Sequence, residues 1–131
     1  MDLAKVMVVD DEEIVCDRLK NHLEKNGFAV ETFTDSEQTM NSLENASYDV
    51  VVTDLKMAGP TGLDVLHTVR DQSYRTQVII ITGYASLEAV REAEAVGAFD
   101  FVTKPFELKE LAKKVKSAAK QARRGAEPAS V

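Results

Sequence analysis

Four short runs rich in β-branched residues constrain the fold more than any other feature of the chain: KVMVVD at 5–10, DVVVTD at 49–54, QVIIIT at 77–82 and FDFVTK at 99–104. Apolar stretches this continuous suit strands covered on both faces, as in a parallel sheet. A fifth run, AVETFT at 29–34, alternates more and reads as an edge strand. Between the runs, apolar residues recur at helical spacing. Val15, Leu19 and Leu23 form one stripe, which stops at Gly27, a natural residue to follow a helix C-terminus. Met40 and Leu43 mark a second helix, opened by Asp35 with Gln38 in the pattern of a capping box. Leu63, Leu66 and Val69 mark a third helix, and Leu87 and Val90, between Ser86 and Gly97, a fourth. Leu108, Leu111 and Val115 mark the last, with alanine and lysine as filler. Strand and helix thus alternate five times. With right-handed crossovers this predicts an α/β fold: a doubly wound, open parallel sheet with helices on both faces.

At 131 residues, 44% of them hydrophobic, the chain suits one domain with a single core and no need of disulfides or a structural metal. The expected domain covers 1–122. Residues 123–131, RRGAEPASV, lack apolar periodicity and read as a flexible tail or the start of a linker. A net charge of −6 argues against direct binding of nucleic acid or of an anionic membrane. No apolar run approaches the ~18 residues of a membrane span, and the N-terminus has no signal-peptide pattern, so a cytoplasmic protein is expected. Cys16 is the only cysteine, which leaves no disulfide framework or thiolate metal site; it is expected to pack as a small hydrophobe.

The stretch VMVVDDEE at 6–13 runs four apolar residues into four acids. Locally, a helix beginning at Asp11 would account for them, since carboxylates are favoured at an N-cap and in a first turn. The other runs add a second reason. In a doubly wound sheet ligands bind outside the carboxyl ends of the strands, and there the runs place Asp10 and Asp11, Asp54, Thr82 and Lys104 on one rim. Three crowded carboxylates repel one another unless a cation sits among them. All-oxygen donors with no grouped His or Cys point to Mg²⁺. With Lys104 and the Thr82 hydroxyl beside it, the rim is equipped for phosphoryl transfer.

These residues carry a resemblance. DD at Asp10 and Asp11, TDLKMAGPTGLDVL around Asp54, ITGYAS around Thr82 and GAFDFVTKPF around Lys104 stand in the order and spacing of the receiver domain of two-component response regulators. The chain resembles that family from about Lys5 to about Ala119. TDLKMAG and KPF are also similar to receivers attached to σ54-dependent activators. The resemblance implies the flavodoxin-like (βα)5 fold with strand order 2-1-3-4-5. It implies that Asp54 is the phosphorylation site, taking a phosphoryl group from a sensor histidine kinase or a phosphotransfer protein. Mg²⁺, with Mn²⁺ able to substitute, would be bound directly by Asp11, Asp54 and the backbone carbonyl of Lys56, and through water by Asp10. Lys104 and Thr82 would act on the phosphoryl oxygens, and Gly83 would leave the acceptor accessible. Thr82 and Phe101 would be the switch pair, Phe101 working through packing alone because it lacks a hydroxyl. The Lys104–Pro105 bond would be cis. The chain departs from the family where Ala58 stands in place of the usual proline, with Pro60 two residues later.

The residues disfavour other chemistries. An aspartyl-phosphate hydrolase wants an acid two residues after its nucleophile, where Lys56 stands. A flavodoxin-type electron carrier needs a phosphate-cradling loop after the first strand, where DDEE would repel phosphate. A P-loop switch needs G-x-x-x-x-G-K-[ST], which is absent. The resemblance implies a domain that signals rather than turns over a substrate, catalysing only its own phosphorylation and dephosphorylation. Its readout surface is expected on the fourth helix, fifth strand and fifth helix, with Glu88, Arg91, Glu92, Lys113, Lys114 and Lys116. An output protein or output domain, or a second copy in a phosphorylation-enhanced homodimer, would bind there.

Overall fold

The computed structural model describes residues 3–125 apart from Tyr74 and Ala85. Strands and helices alternate as β1 (Lys5–Val9), α1 (Glu13–Lys25), β2 (Ala29–Phe33), α2 (Ser36–Asn45), β3 (Val50–Asp54), α3 (Gly62–Gln72), β4 (Gln77–Thr82), α4 (Leu87–Val96), β5 (Asp100–Thr103) and α5 (Leu108–Gly125). The strands form one parallel sheet in the order β2-β1-β3-β4-β5. This is the expected topology, with the alternating run at an edge. α5 extends through Gly125, so the first three residues of the expected tail are helical; residues 126–131 lie outside the described residues.

Period-two alternation along each strand divides the core into two layers. Val6, Val8, Val50, Val52, Ile79 and Ile81 face α1 and α5, where they meet Cys16, Leu19, Leu23, Leu111 and Val115. Met7, Val9, Val51, Val78 and Ile80 face the other way, onto Leu43 of α2, Val65, Leu66 and Val69 of α3, and Ala93 of α4. Each such side chain, fully buried, contributes about 1.5–3 kcal/mol of transfer free energy. Cys16 packs in the first layer as expected; burial pushes its thiol pKa up to about 11, and the nearby Asp10 charge adds to the rise.

α4 buries a different face from the one the spacing suggested, and α5 buries the suggested face with more residues on it. Leu87 is 65% exposed, and the residue α4 buries is Ala93, with Ala89 and Val96 packed beside it. Six residues separate Leu87 from Ala93, which puts them about 120° apart around the helix. On α5 the alanines are core rather than filler: Ala112, Ala118, Ala119 and Ala122 are buried with Leu111 and Val115. Their small side chains let α5 lie close against β3 and β4.

At the N-terminal end of the sheet, Asp49 accepts the Lys5 N–H at 2.8 Å and pairs with the Arg75 guanidinium. Burial would raise its pKa, but the bonds from Arg75 and Lys5 outweigh burial and hold it below the usual carboxylate value. A depressed carboxylate stabilises the fold above its unfolded pKa of ~3.9, and the contribution is lost as pH falls through the folded value. Asp49→Ala removes the carboxylate partner of Arg75 and is expected to cost about 2–4 kcal/mol near neutral pH. Urea unfolding at a series of pH values should show that difference shrink below about pH 4. A difference independent of pH would show that the carboxylate's charge is not the source.

Candidate functional site

Because all the strands run parallel, their C-terminal ends share one edge. β1 leads into Asp10, β3 ends at Asp54, β4 at Thr82, and β5 stops one residue before Lys104. Asp10 is fully buried, Asp54 is 7% exposed, and Asp11 is exposed. One carboxylate oxygen from each of the three lies within 4.8 Å of the others. Lys104 enters this cluster from β5: its Nζ is 2.8 Å from Asp10 Oδ2 and 3.2 Å from Asp54 Oδ2. The other oxygens of the two aspartates take backbone N–H groups, Asp10 Oδ1 from Glu12 at 2.9 Å and Asp54 Oδ1 from Lys56 at 3.3 Å. The expected helix start at Asp11 is therefore corrected. α1 begins at Glu13, Glu12 occupies the N-cap position with no side-chain bond, and the carboxylate that takes an N–H belongs to Asp10. Asp11 is left turned to the rim.

The electrostatics favour one more cation. Burial raises the Asp54 pKa; the Lys104 hydrogen bond opposes that rise and the Asp10 charge adds to it. For Lys104 burial alone would lower the pKa, but its bonds to Asp10 and Asp54 prevail and raise it. One ammonium thus pairs with two of the three carboxylates, leaving a negative, oxygen-only donor set at the surface. That set suits a hard divalent ion such as Mg²⁺.

Thr82 is buried, and its hydroxyl is engaged within its own loop. Thr82 Oγ1 accepts the Tyr84 N–H at 3.0 Å. The ring of Tyr84 lies under Lys56, whose Nζ is 3.8 Å from the ring centroid. In the β4–β5 register Thr82 pairs with Thr103 and Ile80 with Phe101, so Thr82 and Phe101 share one face of the sheet, the face that packs on α4. The Lys104–Pro105 bond is cis. A Cβ built at Gly83 would meet Lys104 Cβ at 4.0 Å, ordinary contact, so there is room for a methyl group. The loop after Asp54, which carries Ala58 in place of proline, is tied down elsewhere. The buried Ser36 donates to the Ala58 carbonyl at 2.7 Å, and Gly59 turns the chain at a φ of 80°.

One residue of the site escaped the sequence reading. Gly62, the first residue of α3, lies against the acceptor's backbone: a Cβ there would come within 2.4 Å of the Asp54 carbonyl oxygen and 2.9 Å of Leu55 Cα. Its N–H bonds the Leu55 carbonyl at 3.0 Å. The signal was a glycine just after a capping threonine; Thr61 and Asp64 do form a reciprocal capping box.

The response regulator receiver domain is matched over residues 6–116, and the chain belongs to that family, the receivers of two-component systems. Among curated relatives, the heme response regulator HssR of Staphylococcus epidermidis is 33% identical over 88% of this chain and 51% of its own length. The chain thus spans about half the length of the curated relatives it matches first. Among solved structures, a CheY-like receiver domain protein from Methanospirillum hungatei superposes with a TM-score of 0.90 at 26% identity, covering 94% of this chain and 98% of that one. The beryllofluoride-activated NtrC4 receiver domain dimer gives a TM-score of 0.84 at 28% identity, covering 90% and 98%. Among the described residues no helix is long and apolar enough to cross a membrane.

Proposed function

We propose that Asp54 accepts a phosphoryl group from a phosphohistidine of a sensor kinase or phosphotransfer protein, and that the domain signals by the change this causes. The observation that carries the reading is Lys104 bridging Asp10 and Asp54 beside Asp11 at the strand ends. A carboxylate oxygen of Asp54 attacks phosphorus, the P–N bond breaks, and the imidazole leaves with the bonding pair. Asp10, Asp11, Asp54 and the Lys56 carbonyl would hold Mg²⁺ or Mn²⁺, which supplies positive charge to the oxygens in flight when bound. Lys104 offsets part of the charge of Asp10 and Asp54 and is within reach of an oxygen added at Asp54. The test is incubation with acetyl phosphate and Mg²⁺, read by intact mass. One hydroxylamine-labile phosphoryl group is expected; an unlabelled chain would overturn the reading.

The switch follows from Thr82. For its hydroxyl to reach a phosphoryl oxygen it must leave the Tyr84 N–H, and the space it vacates lies on the face that Phe101 shares. The inward turn of Phe101 then alters the surface of α4, β5 and α5. An output protein, an output domain or a second copy would read that surface by population shift; the activated NtrC4 relative was solved as a dimer. Chemical-shift mapping with beryllofluoride and Mg²⁺ is expected to perturb 82–120 as well as the rim, and Thr82→Ala to confine the changes to the rim. Equal spread in both proteins would remove Thr82 from the switch. A cytoplasmic setting, with a sensor kinase as donor, completes the proposal.

A further inference from the structure

We infer that the outer stripe of α5 is a docking surface for the phosphate backbone of a nucleic acid. The net charge of −6 hides a segregation: α5 contains seven Lys and Arg against one acid, Glu110, so it is +6 and the rest of the chain is −12. Lys109, Lys113, Lys116, Lys120 and Arg124 follow one another at steps of four, three, four and four residues and are all exposed. At 100° per residue they fall within an arc of about 80° and run about 22 Å along the helix. Lys113 and Lys116, grouped by sequence with the face toward α4, stand on the other side. They line a groove with His22 and Asn26 of α1, whereas Lys114 pairs with Asp100 of β5 at 2.5 Å. Among the described residues the ion pair on the stripe, Lys113 with Glu110 at 3.8 Å, is exposed and leaves the charge available. The stripe also leads away from the acidic rim, since the Arg123 charge acts on Asp49 at the opposite end of the sheet.

What is missing beside the stripe selects the occupant. Among the described residues the exposed large apolar side chains are Leu3, Ile14, Tyr84 and Leu87, none of them on α5. Protein interfaces rely on buried aromatic or aliphatic anchors, and helices that lie in a membrane surface insert an apolar face. A straight row of cations without either suits a linear polyanion, bound through counterion release and without sequence preference.

Fluorescence anisotropy of the full chain with a labelled random-sequence DNA duplex tests this. Five phosphate contacts predict a slope of about −4.5 in log K against log salt, a loss of about 500-fold between 50 and 200 mM. Lys113→Gln/Lys116→Gln/Lys120→Gln should flatten that slope by about 2.7, and Lys109→Gln/Arg124→Gln by about 1.8, so either variant decides if the other fails to fold. No binding at low salt, or an unchanged slope in the folded variant, overturns the proposal. So does binding of polyglutamate or of phosphatidylserine vesicles through these residues when the duplex does not bind.

Discussion

Asp54→Asn is expected to take up no phosphoryl group from acetyl phosphate and Mg²⁺ under conditions in which the parent chain takes up one. The substitution keeps shape and removes the nucleophilic charge. It should not unfold the protein, and the sign of the Asp54 shift says why. A carboxyl whose folded pKa is raised stabilises the fold only while protonated and loses that contribution as pH rises through the folded value. At neutral pH its charge therefore works against folding, beside the charge of Asp10. A neutral isostere should leave urea stability unchanged or slightly higher, so loss of labelling reports chemistry alone. Asp11→Ala is expected to abolish the dependence on Mg²⁺ together with labelling, because it removes an exposed carboxylate of the donor set. Lys104→Ala should slow labelling by about 100-fold, the scale for removing one donor to a charged transition state. It should also cost about 2–4 kcal/mol, since it leaves buried Asp10 facing Asp54 without their common partner. A label that persists in Asp54→Asn with the same hydroxylamine lability would move the acceptor elsewhere.

The sequence disclosed strands better than helix faces. VVVTD, with its unbroken β-branched run, fixes a buried strand within a residue of its observed bounds, because continuous burial on both faces leaves no second way to read it. Helix faces are set by which neighbours come close, and alanine is silent on that question. Ala93 and the buried alanines of α5 therefore became visible only when the helices were seen against the sheet. The rim behaved similarly. Asp10, Asp11, Asp54 and Lys104 were legible because parallel strands bring their ends together. The division of labour among the acids was not. Whether Asp10 or Asp11 takes the N–H of the N-cap residue depends on one residue of register at the end of β1. The engagement of the Thr82 hydroxyl with Tyr84, and of Lys56 with the Tyr84 ring, depends on loop conformations that no periodicity encodes.

Two glycines of the rim show the same limit and supply the second large effect. Gly83 adjoins Thr82 and is the natural candidate for a residue kept small; yet a methyl group there meets Lys104 Cβ only at 4.0 Å. Gly62 lies eight positions beyond Asp54 in the chain, but its missing side chain is what allows α3 to start against the Asp54 carbonyl, 2.4 Å from where a Cβ would stand. The obstruction is backbone on both sides and cannot swing away as a flexible side chain would. Gly62→Ala must therefore displace either the end of β3 or the start of α3. Overpacking of this kind costs about 1–3 kcal/mol. A displacement of the acceptor by about 1 Å is enough to slow its reaction by as much as 100-fold. We expect Gly62→Ala to lose about 2–3 kcal/mol in urea unfolding and to be phosphorylated 10- to 100-fold more slowly while still fully folded. Gly83→Ala should stay within about 1 kcal/mol of the parent and label within a few-fold of its rate. Labelling of the two variants at 10 °C, after circular dichroism confirms that both are folded, separates position from stability. If folded Gly62→Ala labels as fast as the parent, the strand end absorbs the methyl group without moving the carboxylate, and α3 does not position Asp54.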